Sequence, residues 1–295
     1  MPKPLEKITK VYTSKGPLKQ SRFDKTISFK CFRCGQVKVS KLITIYNNDW
    51  DRRLCNGCYG ALLSIHEIKD GTLSIDEKIE KLTEVLSKLV KEEDIRIQTK
   101  KINLQNNKSK SLNTKSLKFY ATSECVAEAI TKDPNLDWSC AIIGLCKAFE
   151  TELIERIVNP LKRICIGLNL PENDLKDKDF GKVALYCAGK TIKSPELGVI
   201  NHFISTVINS KERIEKSEFL SKGLKELLNK MPNNNWILDK TGLSYGIISL
   251  TNLYRNKAAH TDELAEFDYI NCRELVFGEK GLIWDLIVSS ETNRI

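Results

Sequence analysis

Four cysteines constrain this chain more than anything else in it. Cys31 and Cys34 are separated by two residues, twenty residues follow, and Cys55 and Cys58 repeat the same spacing. Two CxxC pairs at this separation bring four thiolates around one tetrahedral ion, each pair chelating from a tight turn. Structural Zn²⁺ is the expected cofactor. Gly35 and Gly57 follow or split the pairs and are read as the residues that let these turns close. Four thiolates close the coordination sphere, so no catalysis is expected at this metal. Thioredoxin-like redox chemistry is the alternative for CxxC, but two distant pairs do not make one redox site.

The other six cysteines (Cys125, Cys140, Cys146, Cys165, Cys187, Cys272) lie singly in apolar helical contexts and read as small buried hydrophobes. No run of eighteen apolar residues exists, so no membrane span is expected. The N-terminus lacks a leader-like apolar segment, which points to a cytoplasmic protein with reduced thiols.

Charge divides the 295 residues unevenly. Residues 1–118 hold 25 Lys/Arg and 13 Asp/Glu, while residues 119–295 hold 22 and 25, which together give the net +9. A basic N-terminal part suggests a polyanionic partner; the alternative is that its lysines only confer solubility.

Pattern gives the organisation. Residues 1–72 read as a basic arm or short strand pair followed by the four-cysteine finger, with a turn at Asp70-Gly71. Residues 73–98 form an amphipathic helix, opened by a Ser74–Glu77 capping box. Its apolar residues Ile75, Ile79, Leu82, Leu86 and Leu89 step by four and three, a seam that pairs with a second copy or packs on its own chain. Residues 99–118 carry six lysines and no acid and read as a flexible Lys/Asn/Ser linker. Residues 119–295 read as an all-α bundle, with helices near 138–166, 179–190, 195–209, 211–230, 241–259 and 263–276. Pro160 is expected to kink or divide the first of these. The fold class is thus mainly α, a helical bundle preceded by a small zinc finger and a short helix.

The segment Leu54-Cys55-Asn56-Gly57-Cys58 resembles the second knuckle of GATA-type treble-clef fingers, and Trp50-Asp51-Arg52-Arg53 echoes their tryptophan–arginine stretch. Those fingers read DNA with the helix that follows. Here that helix begins Tyr59-Gly60-Ala61-Leu62-Leu63-Ser64-Ile65, apolar rather than basic. Docking on protein, or nonspecifically on nucleic acid, is expected instead. His66 is read as a surface residue rather than a fifth ligand.

Near the C-terminus the chain reads Leu253-Tyr254-Arg255-Asn256-Lys257-Ala258-Ala259-His260. A fixed cation, an amide and a proton carrier lie within six residues. On an ideal helix Asn256 and His260 share a face, while Arg255 lies roughly 140° from His260. One regular helix cannot aim both at the same phosphate. Either the helix ends or bends near Ala258, or a second copy supplies the missing group. Cleavage through the RNA 2′-hydroxyl needs both a base and an acid. The chain has three histidines: His66 lies beside the finger, and His202 reads as a packed residue of an apolar helix. Two copies of His260 across a twofold axis would supply both groups.

With these residues, 119–290 resembles a HEPN domain, a helical fold whose active members carry Arg, four to six residues, then His. Asn256 matches the polar residue that follows the family's arginine. Asp137–Leu153 is similar to its helix of core and acidic positions. The resemblance implies a metal-independent endoribonuclease acting at a homodimer interface, often in antiviral defence or toxin systems. It implies His260 as general acid/base, Arg255 stabilising the phosphate and Glu150 orienting Arg255. RNA is the implied substrate, and a nucleic-acid or protein sensor partner would use the finger and basic arm. The alternatives are a nucleic-acid-binding regulator with a GATA-like finger and a non-catalytic helical oligomerisation domain, and a scaffold acting through protein contacts only.

Overall fold

The computed structural model describes residues 6–130, 137–260 and 264–290. The five N-terminal residues read above for a leader, the start of the helix expected from 263, and the last five residues of the 119–295 unit lie outside that set. The chain is mainly helical, with one small N-terminal sheet.

The sheet is an antiparallel meander in chain order: β1 (Ile8–Val11), β2 (Leu18–Lys30), β3 (Val37–Tyr46) and β4 (Asp49–Leu54). Of the two N-terminal readings, strands are what forms. Asn47 and Asn48 both take positive φ, 51° and 57°, the geometry of a tight hairpin turn that asparagine tolerates. Leu18, Thr44, Tyr46 and Leu54 share the buried face under helix α1 (Asn56–Asp70), which carries Ile65 inward and ends against Gly71.

Helix α2 (Ile75–Leu89) begins with the expected capping box. The Ser74 hydroxyl accepts the Glu77 N–H at 3.4 Å, and Glu77 accepts the Ser74 N–H at 3.0 Å. Its seam is spent within the chain: Ile79, Leu82 and Leu86 are at most 1% exposed. Each such side chain contributes roughly 1.5–3 kcal/mol by burial. No coiled-coil seam is left on α2 for a second copy.

The linker expected at 99–118 is not one. Helix α3 (Glu92–Gln105), a short turn at Asn107–Ser111 and helix α4 (Thr114–Ile130) run through it. Composition misleads there because the lysines ride on the outside. Ile102, Leu112 and Ser116 face in, and the Ser116 and Ser123 hydroxyls donate to the Ala148 and Ala141 carbonyls of the next helix at 2.8 and 2.6 Å.

That next helix, α5 (Ser139–Leu153), is the axis of the body: every residue but Thr151 is buried. An apolar helix without a wet face belongs in a core. Gly144 permits the close crossing, since a Cβ there would stand 2.9 Å from Ser123 and 3.1 Å from Leu86. A π-turn, Ile154–Val158, carries α5 into α6 (Asn159–Cys165). Pro160 falls in the first turn of α6, where proline is tolerated.

The remaining helices wrap this axis: α7 (Glu172–Lys176), α8 (Lys178–Cys187), α9 (Leu197–Asn209), α10 (Lys211–Lys216), α11 (Lys225–Asn229), α12 (Asn235–Leu238), α13 (Leu243–Leu250), α14 (Asn256–Ala259), α15 (Glu266–Phe277) and α16 (Leu282–Ser290). No strand follows the sheet among the described residues. Of the six scattered cysteines five are buried and Cys125 is half-buried. No helix among the described residues is long and apolar enough to cross a membrane.

His202 departs from the expected packed core position. It faces outward from α9, 44% exposed, with Nε2 2.9 Å from Asp177 Oδ2. The apolar run around it serves the opposite side of the helix.

Candidate functional site

The residues marked by the sequence fall in two clusters. At the first, Cys31, Cys34, Cys55 and Cys58 place their sulfurs within 4.8 Å of one another, and the Cys34 and Cys55 sulfurs stand 3.9 Å apart. A tetrahedral Zn–S bond of about 2.3 Å sets sulfurs about 3.8 Å apart, so the cluster has the size of a zinc site. The first pair sits on the turn between β2 and β3. Gly35 closes it at φ +67°, and its N–H donates to the Cys31 carbonyl at 2.9 Å. The second pair starts α1: Cys55 is the N-cap residue and Cys58 lies in the first turn. Gly57 is therefore helical rather than a turn residue, because the helix end itself bends the second pair.

The thiols fit a cation. Burial raises the Cys31 pKa, but N–H groups of Cys34, Cys55 and Arg33 outweigh it and bring the thiol down to about 7. Burial pushes Cys58 well up, and a negative Cys31 pushes it further. Four thiolates this close are mutually repulsive without a dication between them. His66 is not among the clustered ligands; its ring lies against Gly16, where an added Cβ would come within 2.4 Å of it.

The finger is fastened to the body by buried charge. Lys69 of α1, 4% exposed, reaches Asp137 at 2.9 Å and Ser139 at 3.1 Å at the start of α5. Lys78 of α2 donates to the Lys69 carbonyl at 2.6 Å.

The second centre surrounds Arg255. A π-turn, Thr251–Arg255, leads into α14, whose inward stripe is Arg255, Ala258 and Ala259. The two alanines, both 0% exposed, let α2 and α5 of the same chain come close. Arg255 is 3% exposed. Its guanidinium NH2 lies 2.6 Å from Asp76 of α2 and 3.7 Å from Glu150 of α5, while its Nε has no hydrogen-bond partner.

Glu150 is itself shared. It accepts from Lys147 at 2.6 Å and from the Leu197 N–H that opens α9 at 3.3 Å. Lys147 also pairs with Glu80 at 2.7 Å. Burial works against the Lys147 charge, but Glu150 and Glu80 together raise its pKa. Asp76 and Glu80, one turn apart on α2, thus face Arg255 and Lys147 across a single ionic layer, buried at Arg255, Lys147 and Glu150 and open to solvent at Asp76 and Glu80.

The helix ends at Ala259, the first of the two outcomes that the two-faced geometry left open. His260 follows α14 in extended backbone, ψ 176°, with its N–H donating to the Lys257 carbonyl at 3.0 Å. Its side chain is exposed. The face it would share with half-buried Asn256 stops one residue short of it. The structure therefore brings Glu150 to Arg255, turns Arg255 inward and leaves His260 outside. Asp76 was missed by sequence reasoning, and no local signal could have found it, because its partner lies 179 residues away.

No family model matches the chain, and no curated protein or solved structure matches it.

Proposed function

We propose that the chain is a metal-independent endoribonuclease of HEPN type, with the zinc finger as a structural and recruiting module. The observation that carries the reading is the junction at residues 255–260. A buried arginine is held by Asp76 of α2 at 2.6 Å and lies 3.7 Å from Glu150 of the central helix, and the helix then ends to expose His260. Substrate would be RNA, and the setting antiviral defence or a toxin-like system in the cytoplasm.

The proposed chemistry uses two copies of His260 from a homodimer. One takes the proton of the 2′-hydroxyl as that oxygen attacks phosphorus; the other protonates the leaving 5′-oxygen. The products are a 2′,3′-cyclic phosphate and a 5′-hydroxyl. Arg255 would be the cation for the charged transition state once its guanidinium leaves Asp76, which together with Glu150 holds it inward in this structure. Asn256 is the accompanying polar group. The order of knuckle, hairpin and helix around the four cysteines matches a treble clef, which supports Zn²⁺ as its metal.

The test is incubation of the purified chain with bulk RNA in excess EDTA, with zinc content checked afterwards, beside His260→Ala. Cleavage that persists in EDTA and disappears in the variant supports the reading. Intact RNA with either protein sinks it.

The burial of Arg255 between two carboxylates favours a second reading. An internal ionic layer of this kind is also what a non-catalytic oligomerisation domain would hold, in a nucleic-acid-binding regulator. Salt-sensitive duplex DNA binding without any RNA cleavage would select that reading.

A further inference from the structure

Helix α1 cannot be the finger's reading element. Among its fifteen residues Lys69 is the one Lys or Arg, and it is 4% exposed and paired with Asp137. The finger's cations are elsewhere. Residues 18–46, the β2–β3 ribbon with its knuckle, hold seven Lys/Arg against one acid, Asp24.

The ladder places two of them, Lys30 and Lys41, on one side. Lys30 lies opposite Val37 and Ser28 opposite Val39, and alternation adds Lys41 to the same face. All five residues are exposed, Val37 and Val39 at 70% and 67%. Neither lysine has an ion-pair partner among the described residues. On this stretch β2 and β3 ladder only with each other: β1 pairs with β2 from Ser21 to Phe23, β4 meets β3 from Thr44 to Tyr46, and the knuckle beyond is tied to β4 by the Phe32 N–H on the Arg53 carbonyl.

We infer that this outer ribbon face binds the phosphodiester backbone of a single-stranded nucleic acid, RNA on the reading above. Lys30 and Lys41 contact phosphates, and Val37 and Val39 between them lie against sugars and bases. Side chains on one face repeat at roughly 6.8 Å, a spacing that an extended strand can follow. Charge selects this occupant: a second copy would set like charges against each other, and an uncharged protein surface would leave both lysines unpaired.

The experiment measures dissociation constants for one labelled oligonucleotide sequence, as single-stranded RNA and as DNA. It uses the full-length, zinc-loaded chain carrying His260→Ala, so that binding is read without cleavage. Lys30→Glu/Lys41→Glu should weaken RNA binding at least about tenfold near 0.1 M salt. It should also flatten the log–log salt dependence by about 1.4, two phosphates at about 0.7 each. Val37→Thr/Val39→Thr, which keeps β-branching, should weaken binding with the slope unchanged. Equal binding of DNA supports backbone recognition. Zinc content and far-UV signal should stay at the parent's level in both variants.

Three results would overturn the inference. One is unchanged affinity and slope in the Lys30/Lys41 variant, which would leave these lysines as guards against strand-to-strand aggregation. Another is an equal loss from Lys190→Glu/Lys240→Glu on the helical body. The third is tighter binding to phosphatidylserine vesicles than to RNA. Failure of the ribonuclease reading shows separately, as RNA that the His260-bearing chain binds through the ribbon but does not cut.

Discussion

The four sulfurs of the finger come from two short turns, 31–34 and 55–58, whereas Arg255 is held by residues from α2 and α5 that lie far from it in the chain. The finger's ligands are set by spacing, one strand–turn–strand knuckle and one helix start. The ionic layer is set by packing. Asp76 and Glu80 reach Arg255 and Lys147 only because Ile79, Leu82 and Leu86 press α2 against α5. A local site announces itself in sequence; a site assembled by packing shows only fragments of itself.

The largest effect that would break this comparison is on the metal. Structural zinc in small fingers contributes apparent binding energies of about 10–16 kcal/mol, so Cys55→Ser should abolish zinc retention and unfold the sheet. The helical body should survive, because its core lies around α5. Elemental analysis with far-UV circular dichroism checks this: zinc lost and most helical signal kept. Collapse of the whole helical signal would show that the Lys69–Asp137 fastening makes the two regions one unit.

Next in size is Arg255→Met. It takes the cation from Asp76, which is 38% exposed, while Glu150 keeps Lys147 at 2.6 Å, so the cost falls below that of a fully buried pair, at about 1–3 kcal/mol. Adding Asp76→Asn should recover part of that loss, because the uncompensated charge goes. Urea denaturation of the two variants checks it. An Arg255→Met loss below about 1 kcal/mol would mean that the layer is not a packed ionic unit.

A smaller, pH-dependent effect belongs to Asp177, which caps α8 and faces His202 and Arg213. Burial works to raise its pKa, but hydrogen bonds from His202, the Phe180 N–H and Arg213 bring it to about 2. A carboxyl depressed on folding stabilises above its unfolded pKa of about 3.9 and loses that contribution as pH falls toward 2. Discounted for solvent contact, the contribution is about 1 kcal/mol. Asp177→Asn should therefore lower stability at pH 7 by that amount and converge with the parent near pH 2. A constant difference across this range would contradict the assignment.

Legibility followed the same division. The finger's ligands, the Ser74 capping box and the apolar periodicity of the body could all be read from short windows. Residues 99–118 could not, because six lysines outweighed the few inward residues, Ile102, Leu112 and Ser116, that fix α3 and α4 to the core. His202 failed for the converse reason: an apolar neighbourhood in sequence says nothing about which side of a helix one residue takes. At the Arg255 site, Glu150 could be named from a family resemblance, but Asp76 and the inward turn of the guanidinium needed the packing of three helices.

His260 is the smallest term for stability and the largest for the proposed chemistry. It is exposed, so His260→Ala should leave the unfolding midpoint within about 0.5 kcal/mol of the parent. The most direct measurement is the chemistry of the RNA ends. In excess EDTA the chain should produce 5′-hydroxyl ends that a kinase labels directly, matched by 2′,3′-cyclic phosphates, and His260→Ala should produce none. Ends bearing 5′-phosphate and 3′-hydroxyl, or the same products from His260→Ala, would contradict a histidine-driven attack by the 2′-hydroxyl.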